Sequence, residues 1–364
     1  MPETPNPEFS LTIYLAVGGL LSSVTLLVLF QRHVSGQPLL AYRPRVRVPW
    51  GPAATLVAIF LLIVQVVPEL FAAGADEDQL LDPSSFISSS LFGAAAMIGM
   101  TVLGMFWLMQ VAGATWRDLG LPANAGELVH DACLGVVTCL AALLPVYLLL
   151  LTLNFFVEPQ QIHPLIEQLL EHRSPGMMAA GFLVAVVAAP LFEEFAFRLL
   201  LQGWLERWED EQLGYDATER RSVASQTAED SSAQEAIQED ELAVEHGELS
   251  EPPSLAQTAD NPFASPLVNV RSEETASCDL PEQPIEKPER GVLASLPHGW
   301  LPILLSGLVF GLAHFGHGID PVPLVLFGVV LGYVYQRTHR LLPCIVAHLL
   351  FNAFSLGQLW FLVG

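Results

Sequence analysis

Residues 181–205 read GFLVAVVAAPLFEEFAFRLLLQGWL, an apolar run of bilayer length with Glu193, Glu194 and Arg198 in its middle. A charge inside a hydrocarbon layer is costly and marks a functional position by default. Glu194 and Arg198 stand four residues apart, so a helix puts them on one face, where they can pair. Glu193 is turned about 100° away and has no counter-ion on its own helix. Its partners have to come from other helices. Two later stretches offer them, GLVFGLAHFGH at 307–317 and IVAHLLFNAF at 345–354.

Working outward, the whole chain reads as membrane protein. Of its 364 residues 52% are hydrophobic and 15% charged, the latter well below the roughly 25% of soluble domains. A net charge of −23 argues against nucleic acid as a partner. That charge is unevenly spread. Residues 206–296 hold 22 Asp and Glu against six Arg and Lys, which is −16 of the total. The four cysteines (Cys133, Cys139, Cys278, Cys344) have neither a disulfide framework nor CxxC spacing and read as small hydrophobes.

A span needs about 20 mostly apolar residues. Segments near 11–30, 50–74, 91–113, 132–156, 177–205, 299–316, 321–336 and 341–363 meet this, the seventh barely. The expectation is an all-α, polytopic helical bundle of about eight transmembrane helices. Residues 1–10 contain no Lys or Arg and so lack the basic start of a signal peptide; the first span is expected to be retained. Thirteen of the 15 basic residues fall in the loops of one side, with Arg173 opposite and Arg198 inside the membrane. By the positive-inside rule the loops 31–49 and 337–340 and the 206–296 insert are then cytoplasmic.

Four regions follow. Residues 1–113 carry spans one to three, and 114–205 the charged helix. Residues 206–296 form an acidic insert, and 297–364 hold the two histidine stretches. The insert is rich in Glu, Ser, Ala, Gln and Pro, and from 209 to 293 it cannot bury enough apolar surface to offset its ordering entropy, so disorder is expected there. In 157–176, Ile162, Leu165, Ile166, Leu169 and Leu170 fall at helical spacing, as in a short helix lying on the outer surface or packed on the loops. Trp50, Trp107, Trp116, Trp204, Trp300 and Trp360 mostly lie near span ends, as an aromatic belt would.

Counting 1.5 Å per residue from the inner boundary, Glu193 lies roughly 18 Å deep, Asn352 roughly 16 Å, His348 roughly 10 Å and His314 roughly 22 Å. Four polar residues on three helices therefore fall into one layer. His348 and Asn352 share a face, as do Phe310 and His314. Such a set permits hydrolysis. A carboxylate in apolar surroundings suits a general base, and a histidine beside it can share in activating water or pass a proton to a leaving amine. A second histidine with an asparagine can donate to a developing oxyanion, each donor being worth roughly 3–4 kcal/mol.

These residues also carry a resemblance. EExxxR (Glu193, Glu194, Arg198), FxxxH (Phe310, His314) and HxxxN (His348, Asn352) resemble the three motifs of the CPBP family, the CAAX prenyl endopeptidases and bacteriocin-processing (Abi) proteins. WRDLGL at 116–121 is similar to a weaker upstream feature of bacterial members. The resemblance covers about 177–204 and 301–356. It implies an intramembrane peptidase of the cell membrane acting on membrane-associated or lipidated proteins, with membrane lipids as its other partners. It further implies Glu193 as the water-activating carboxylate, His314 as its partner, and His348 and Asn352 as the oxyanion pair. Glu194, Arg198 and Phe310 would support them. The expected mechanism uses no cofactor. The alternative is a zinc ion on Glu193, His314 and His348, an acceptable N/O donor set, although HExxH is missing.

Rival readings come from other classes. A transporter would use the intramembrane charges as a pathway, but it predicts broken helices and internal symmetry that the sequence does not display. A proteolytically silent immunity or scaffold protein would need no intact motifs. His317 reads as a helix-end residue, and Ser355 and Cys344 lack a neighbouring base.

Overall fold

The computed structural model describes residues 7–43, 47–57, 82–156, 169, 174–213, 297–315 and 321–363. All of them belong to one unit, Met1–Arg220 with Leu293–Gly364. Among the described residues the regular structure is entirely helical: α1 (Pro7–Val34), α2 (Pro83–Val111), α3 (Ala125–Phe156), α4 (Pro175–Leu213), α5 (Trp300–Leu312), α6 (Pro321–Thr338) and α7 (Leu341–Val363). The all-α polytopic class expected from sequence is what forms. Five helices, α1 to α4 and α7, are long and apolar enough to cross a membrane. Their outward faces keep large apolar side chains such as Leu20, Leu27, Phe92 and Leu103 more than 60% exposed. Hydrophobic surface on this scale over many helices suits lipid, not water.

Two of the eight expected spans differ in kind. The segment 299–316 yields α5, only 13 residues, or about 20 Å, short of a bilayer core. It packs antiparallel on the 18-residue α6. The approach is close because glycines line it: a methyl on Gly311 would stand 2.6 Å from the Pro321 carbonyl oxygen, and one on Gly328 would stand 3.0 Å from the Gly307 Cα. GLVFG (307–311) is thus a small-xxx-small contact of the kind that lets membrane helices touch backbone to backbone. The expected span at 50–74 lies outside the described residues beyond 57, as do His317 and, apart from buried Leu169, the apolar positions of 162–170.

Helix α4 is the axis of the bundle, with α2, α5 and α7 packed on its middle. It is not regular. Leu183–Ala188 and Phe195–Gln202 are π-helical, and they flank the short α-helical piece Ala189–Glu194 that holds both glutamates. Inserted π turns are rare and concentrate at functional sites.

At its far end α4 runs beyond the expected boundary at 205, continuing through Leu213. The acids of this last stretch are buried rather than solvated: Glu206, Glu209 and Asp210 are 7%, 1% and 5% exposed. Each has a partner in the core. Gly299 N–H donates to Glu209 at 2.8 Å, His298 lies 2.8 Å from Asp210, and His339 lies 3.2 Å from Glu206. Composition alone assigned them to the insert, whereas their partners assign 206–213 to the bundle. The rest of the insert, 214–296, lies outside the described residues.

The loops grouped by their basic residues do meet at this end. Arg207 Nη1 donates to the carbonyls of Val48, Pro49 and Trp50, Arg43 N–H donates to Arg337 O at 2.8 Å, and Arg340 pairs with Asp131 at 2.7 Å. WRDLGL docks here too. Leu119 is fully buried, and Gly120 takes a positive φ of 66° while its carbonyl accepts the N–H of Leu341 at 2.9 Å, beneath the start of α7. A Cβ there would meet Leu341 N at 2.7 Å, so glycine is required twice over. Trp50 departs from the aromatic-belt reading: it is 2% exposed and packs in the core.

Candidate active site

The second glutamate comes first, because it organises the others. Glu194 and Arg198 pair at 3.0 Å, and both side chains are fully buried. Arg198 Nη1 also donates to Ser306 Oγ at 2.8 Å, and Ser306 in turn donates to the Phe197 carbonyl at 3.2 Å. The other carboxylate oxygen of Glu194 lies 2.8 Å from His348 Nδ1 on α7. A buried carboxylate there calls for the proton on Nδ1, which leaves the Nε2 lone pair of the neutral ring pointing away from Glu194. Glu194 is therefore more than a structural lock for Arg198. It sets the orientation of a motif histidine on α7.

His314 is fixed by different means. It follows the last turn of α5, where its own N–H goes to Gly311 and leaves the Phe310 carbonyl short of its helical donor. His314 Nδ1 takes that carbonyl at 2.9 Å. The carbonyl can only accept, so Nδ1 carries the proton and Nε2 again presents a lone pair.

Both free nitrogens face the same atom. Glu193 Oε2 lies 3.7 Å from His348 Nε2 and 3.9 Å from His314 Nε2. It is buried and makes no hydrogen bond of its own. Thus the glutamate without a partner on its own helix meets one histidine from each of the two later stretches. Side-chain exposures of 17% for Glu193 and 28% for His314, against 3% for His348, put the open side of the cluster at His314.

Aromatic rings hold the cluster from below. Phe310 stands 5.2 Å from the His314 ring, 5.5 Å from the His348 ring and 5.1 Å from the Arg198 guanidinium carbon. Phe327 packs edge-on against His348 at 5.4 Å. Asn352, one turn along α7 from His348, donates its Nδ2 to the Ala185 carbonyl of α4 at 2.8 Å. Its Nδ2 is therefore tied to the π-helical backbone of α4.

Ser306 was not singled out in the sequence. It had a signal: it is the one hydroxyl in the apolar run WLPILLSGLVFGL. The tie between Glu194 and His348 had none, since it joins residues 154 positions apart.

Glu193, His314 and His348 offer donor types that suit zinc. Ligand atoms on a tetrahedral zinc with bonds near 2.0–2.1 Å stand only about 3.3 Å apart. The 3.7 and 3.9 Å separations are wider. Among the described residues no group of three His, Cys, Asp or Glu is arranged to hold a metal ion.

Residues 290–354 match the family described as type II CAAX prenyl endopeptidase Rce1-like. The matched segment contains Phe310, His314, His348 and Asn352, while the glutamates reach the site from outside it. No curated protein and no solved structure gives a match. The match spans 65 of the 364 residues and supports a CPBP/Rce1-like assignment for the segment that carries the two histidine motifs.

Proposed function

We propose that the chain cleaves peptide bonds of membrane-associated or lipidated proteins with Glu193 as the base that activates water. One observation carries the reading: a buried carboxylate oxygen without a hydrogen bond, faced by two imidazole nitrogens at 3.7 and 3.9 Å. Three basic atoms directed at one another form a stable arrangement only when protons or a hydrogen-bonded molecule lie among them. Water is the smallest such molecule, and the open side at His314 is its approach.

In the proposed reaction the attacking water stands between Glu193 Oε2 and His314 Nε2. Its oxygen bonds to the scissile carbonyl carbon as its proton passes to Glu193. The carbonyl oxygen becomes an oxyanion, stabilised by the second N–H of the Asn352 amide and by His348 Nε2 when that nitrogen is protonated. The proton held by Glu193 then moves, directly or through His314, to the departing nitrogen. The C–N bond breaks, releasing a carboxylic acid and an amine. Glu194 holds the His348 ring in place throughout, with Arg198 balancing its charge.

The substrate class follows the family and the setting of the site between membrane helices. The basic loops and the insert 206–296 are assigned to the cytoplasm of a cell-membrane protein, following their charge. The test uses purified full-length protein and a farnesylated peptide ending in a CAAX sequence. Wild type is expected to cleave it and Glu193→Gln to bind without cleaving, with activity surviving exhaustive chelation. Chelator-sensitive cleavage that zinc restores, at one metal per chain, would replace the water-activating glutamate by a zinc centre on Glu193, His314 and His348. If wild type leaves the peptide intact, comparison of membrane proteomes with and without Glu193→Ala is the route to the natural substrate. No difference there would favour a silent scaffold.

A further inference from the structure

We infer that Pro190 is a positioning residue for Asn352, acting through one backbone carbonyl of the central helix. The π-helical stretch Leu183–Ala188 ends where the α-helical piece carrying the glutamates begins, and there the N–H of Ala189 reaches back five residues to the Val184 carbonyl. Advanced by one residue, the same register would send the N–H of residue 190 to the carbonyl of Ala185. Position 190 is a proline and has no N–H to send. The Ala185 carbonyl instead accepts Asn352 Nδ2 at 2.8 Å. Carbonyls released by proline inside a membrane have to be satisfied by neighbouring helices. Here the neighbour that supplies the donor is a motif side chain of α7.

The consequence is orientational. A primary amide has two N–H groups in one plane, so tying one to a fixed backbone oxygen fixes the direction of the other. Pro190 is buried and lies three residues before Glu193, within the same turn. The same short piece of helix therefore carries the water-activating carboxylate and the break that anchors the amide. Side chains that act on a transition state need their rotamers locked by such outside bonds. Within the active-site assignment above, on whose donor role for Asn352 this inference rests, Pro190 sets the aim of that donor.

The test is a cycle of Pro190→Ala, Asn352→Ala and the double variant in the full-length, detergent-solubilised protein. Thermal unfolding and cleavage of the farnesylated CAAX peptide are both measured. Alanine at 190 restores an N–H and is a far better helix former, so the unfolding midpoint of Pro190→Ala is expected at or above that of wild type. Its kcat should nonetheless fall roughly ten- to hundredfold with KM unchanged, as when a reacting group is misplaced by about 1 Å. Asn352→Ala should lower the midpoint in the wild-type background, where it strands a carbonyl, and leave it unmoved in the Pro190→Ala background, where the new N–H covers it. An equal midpoint penalty in both backgrounds would overturn the inference, as would undiminished kcat in Pro190→Ala. Undiminished kcat in Asn352→Ala alongside the non-additive midpoints would uphold the carbonyl link and overturn the donor role of Asn352, and with it the catalytic part of the inference.

Discussion

Replacing Glu194 by Gln separates the two tasks that the structure gives this residue. The first is charge balance. Glu194 and Arg198 are both fully buried and 3.0 Å apart, and Arg198 Nη2 makes no hydrogen bond even in the intact protein. Removing one partner of such a pair strands the other and costs about 3–5 kcal/mol. At 2–4 °C per kcal/mol for a chain unit of this order, the unfolding midpoint should drop by roughly 10 °C. The second task is orientation of His348, whose Nδ1 stands 2.8 Å from the other carboxylate oxygen. With the amide oxygen kept on Arg198, the amide nitrogen faces Nδ1, which must then accept. The ring proton moves to Nε2, and the doubly protonated ring that the Glu194 carboxylate would stabilise is lost, so His348 can meet the oxyanion only as a neutral donor. Loss of the carboxylate behind the histidine of the Ser-His-Asp triad, with geometry intact, costs about 10⁴ in kcat, so a loss of roughly 10²–10⁴ is expected here. The double variant Glu194→Gln/Arg198→Met removes the stranded charge and should recover most of the stability, because an apolar isostere replaces a buried pair at little cost. It should not recover activity. Thermal unfolding and single-turnover cleavage measure the two effects on the same samples. A double variant restored in both would refute the orienting role, and a single variant as stable as wild type would refute the charge argument.

Gly311→Ala places a methyl 2.6 Å from the Pro321 carbonyl and 2.7 Å from the Val325 nitrogen, neither of which can swing aside. Overpacking of this kind should cost about 1–3 kcal/mol in thermal unfolding. A change inside 0.5 kcal/mol would mean that α5 and α6 do not touch there. At the start of α2, the Ser84 and Ser85 hydrogen bonds hold the Asp82 carboxyl at about 2, below its usual 3.8. A lowered folded-state value gives stability that is present above the unfolded value and is lost as pH falls towards 2. Protection factors of the amides at residues 84–86, which are exchange rates corrected for their intrinsic pH dependence, should therefore fall below pH 4 in wild type, and Asp82→Asn should flatten that dependence. Protection factors that ignore pH in wild type would count against the cap. Replacing 214–292 by a short Gly/Ser linker, with 206–213 and 297–299 kept, should leave turnover of the purified protein nearly unchanged. A large loss in a well-folded sample would make the insert part of the site.

The membrane class was legible because bilayer burial is written into composition, and apolar runs of about 20 residues have few other uses. The meeting of Glu193 with two histidines was legible for a related reason: a lone carboxylate at that depth needs partners, and only two stretches carried them. What the sequence did not disclose is set by distance along the chain or by backbone detail. The bond from Glu194 to His348 joins helices with the whole insert between them. The burial of Glu206, Glu209 and Asp210 depends on His298, Gly299 and His339, which no local pattern connects to them. The π-helical turns leave no mark in apolar periodicity, since LVAVVA and FAFRLLLQ fit an α-helix equally well.

Those turns bear on why two adjacent glutamates can serve different ends. Neighbours on a helix differ by about 100°, so one backbone position can direct Glu194 into the packed interior and Glu193 towards the opening. Inside, Glu194 is closed off by Arg198 and His348, and its charge is spent on holding a second helix in register. Outside it, Glu193 keeps an oxygen without a hydrogen bond. The two π segments bracket just this piece of helix, Ala189–Glu194, and give α4 a wider turn on either side. The bracketed turn can then take its angle from α5 and α7 rather than from the helix above and below it. A chain that needed only a buried ion pair would need Glu194 and Arg198. The second carboxylate, one residue earlier and facing two imidazole lone pairs, is not needed for that pair, which is why the proposed chemistry rests on Glu193.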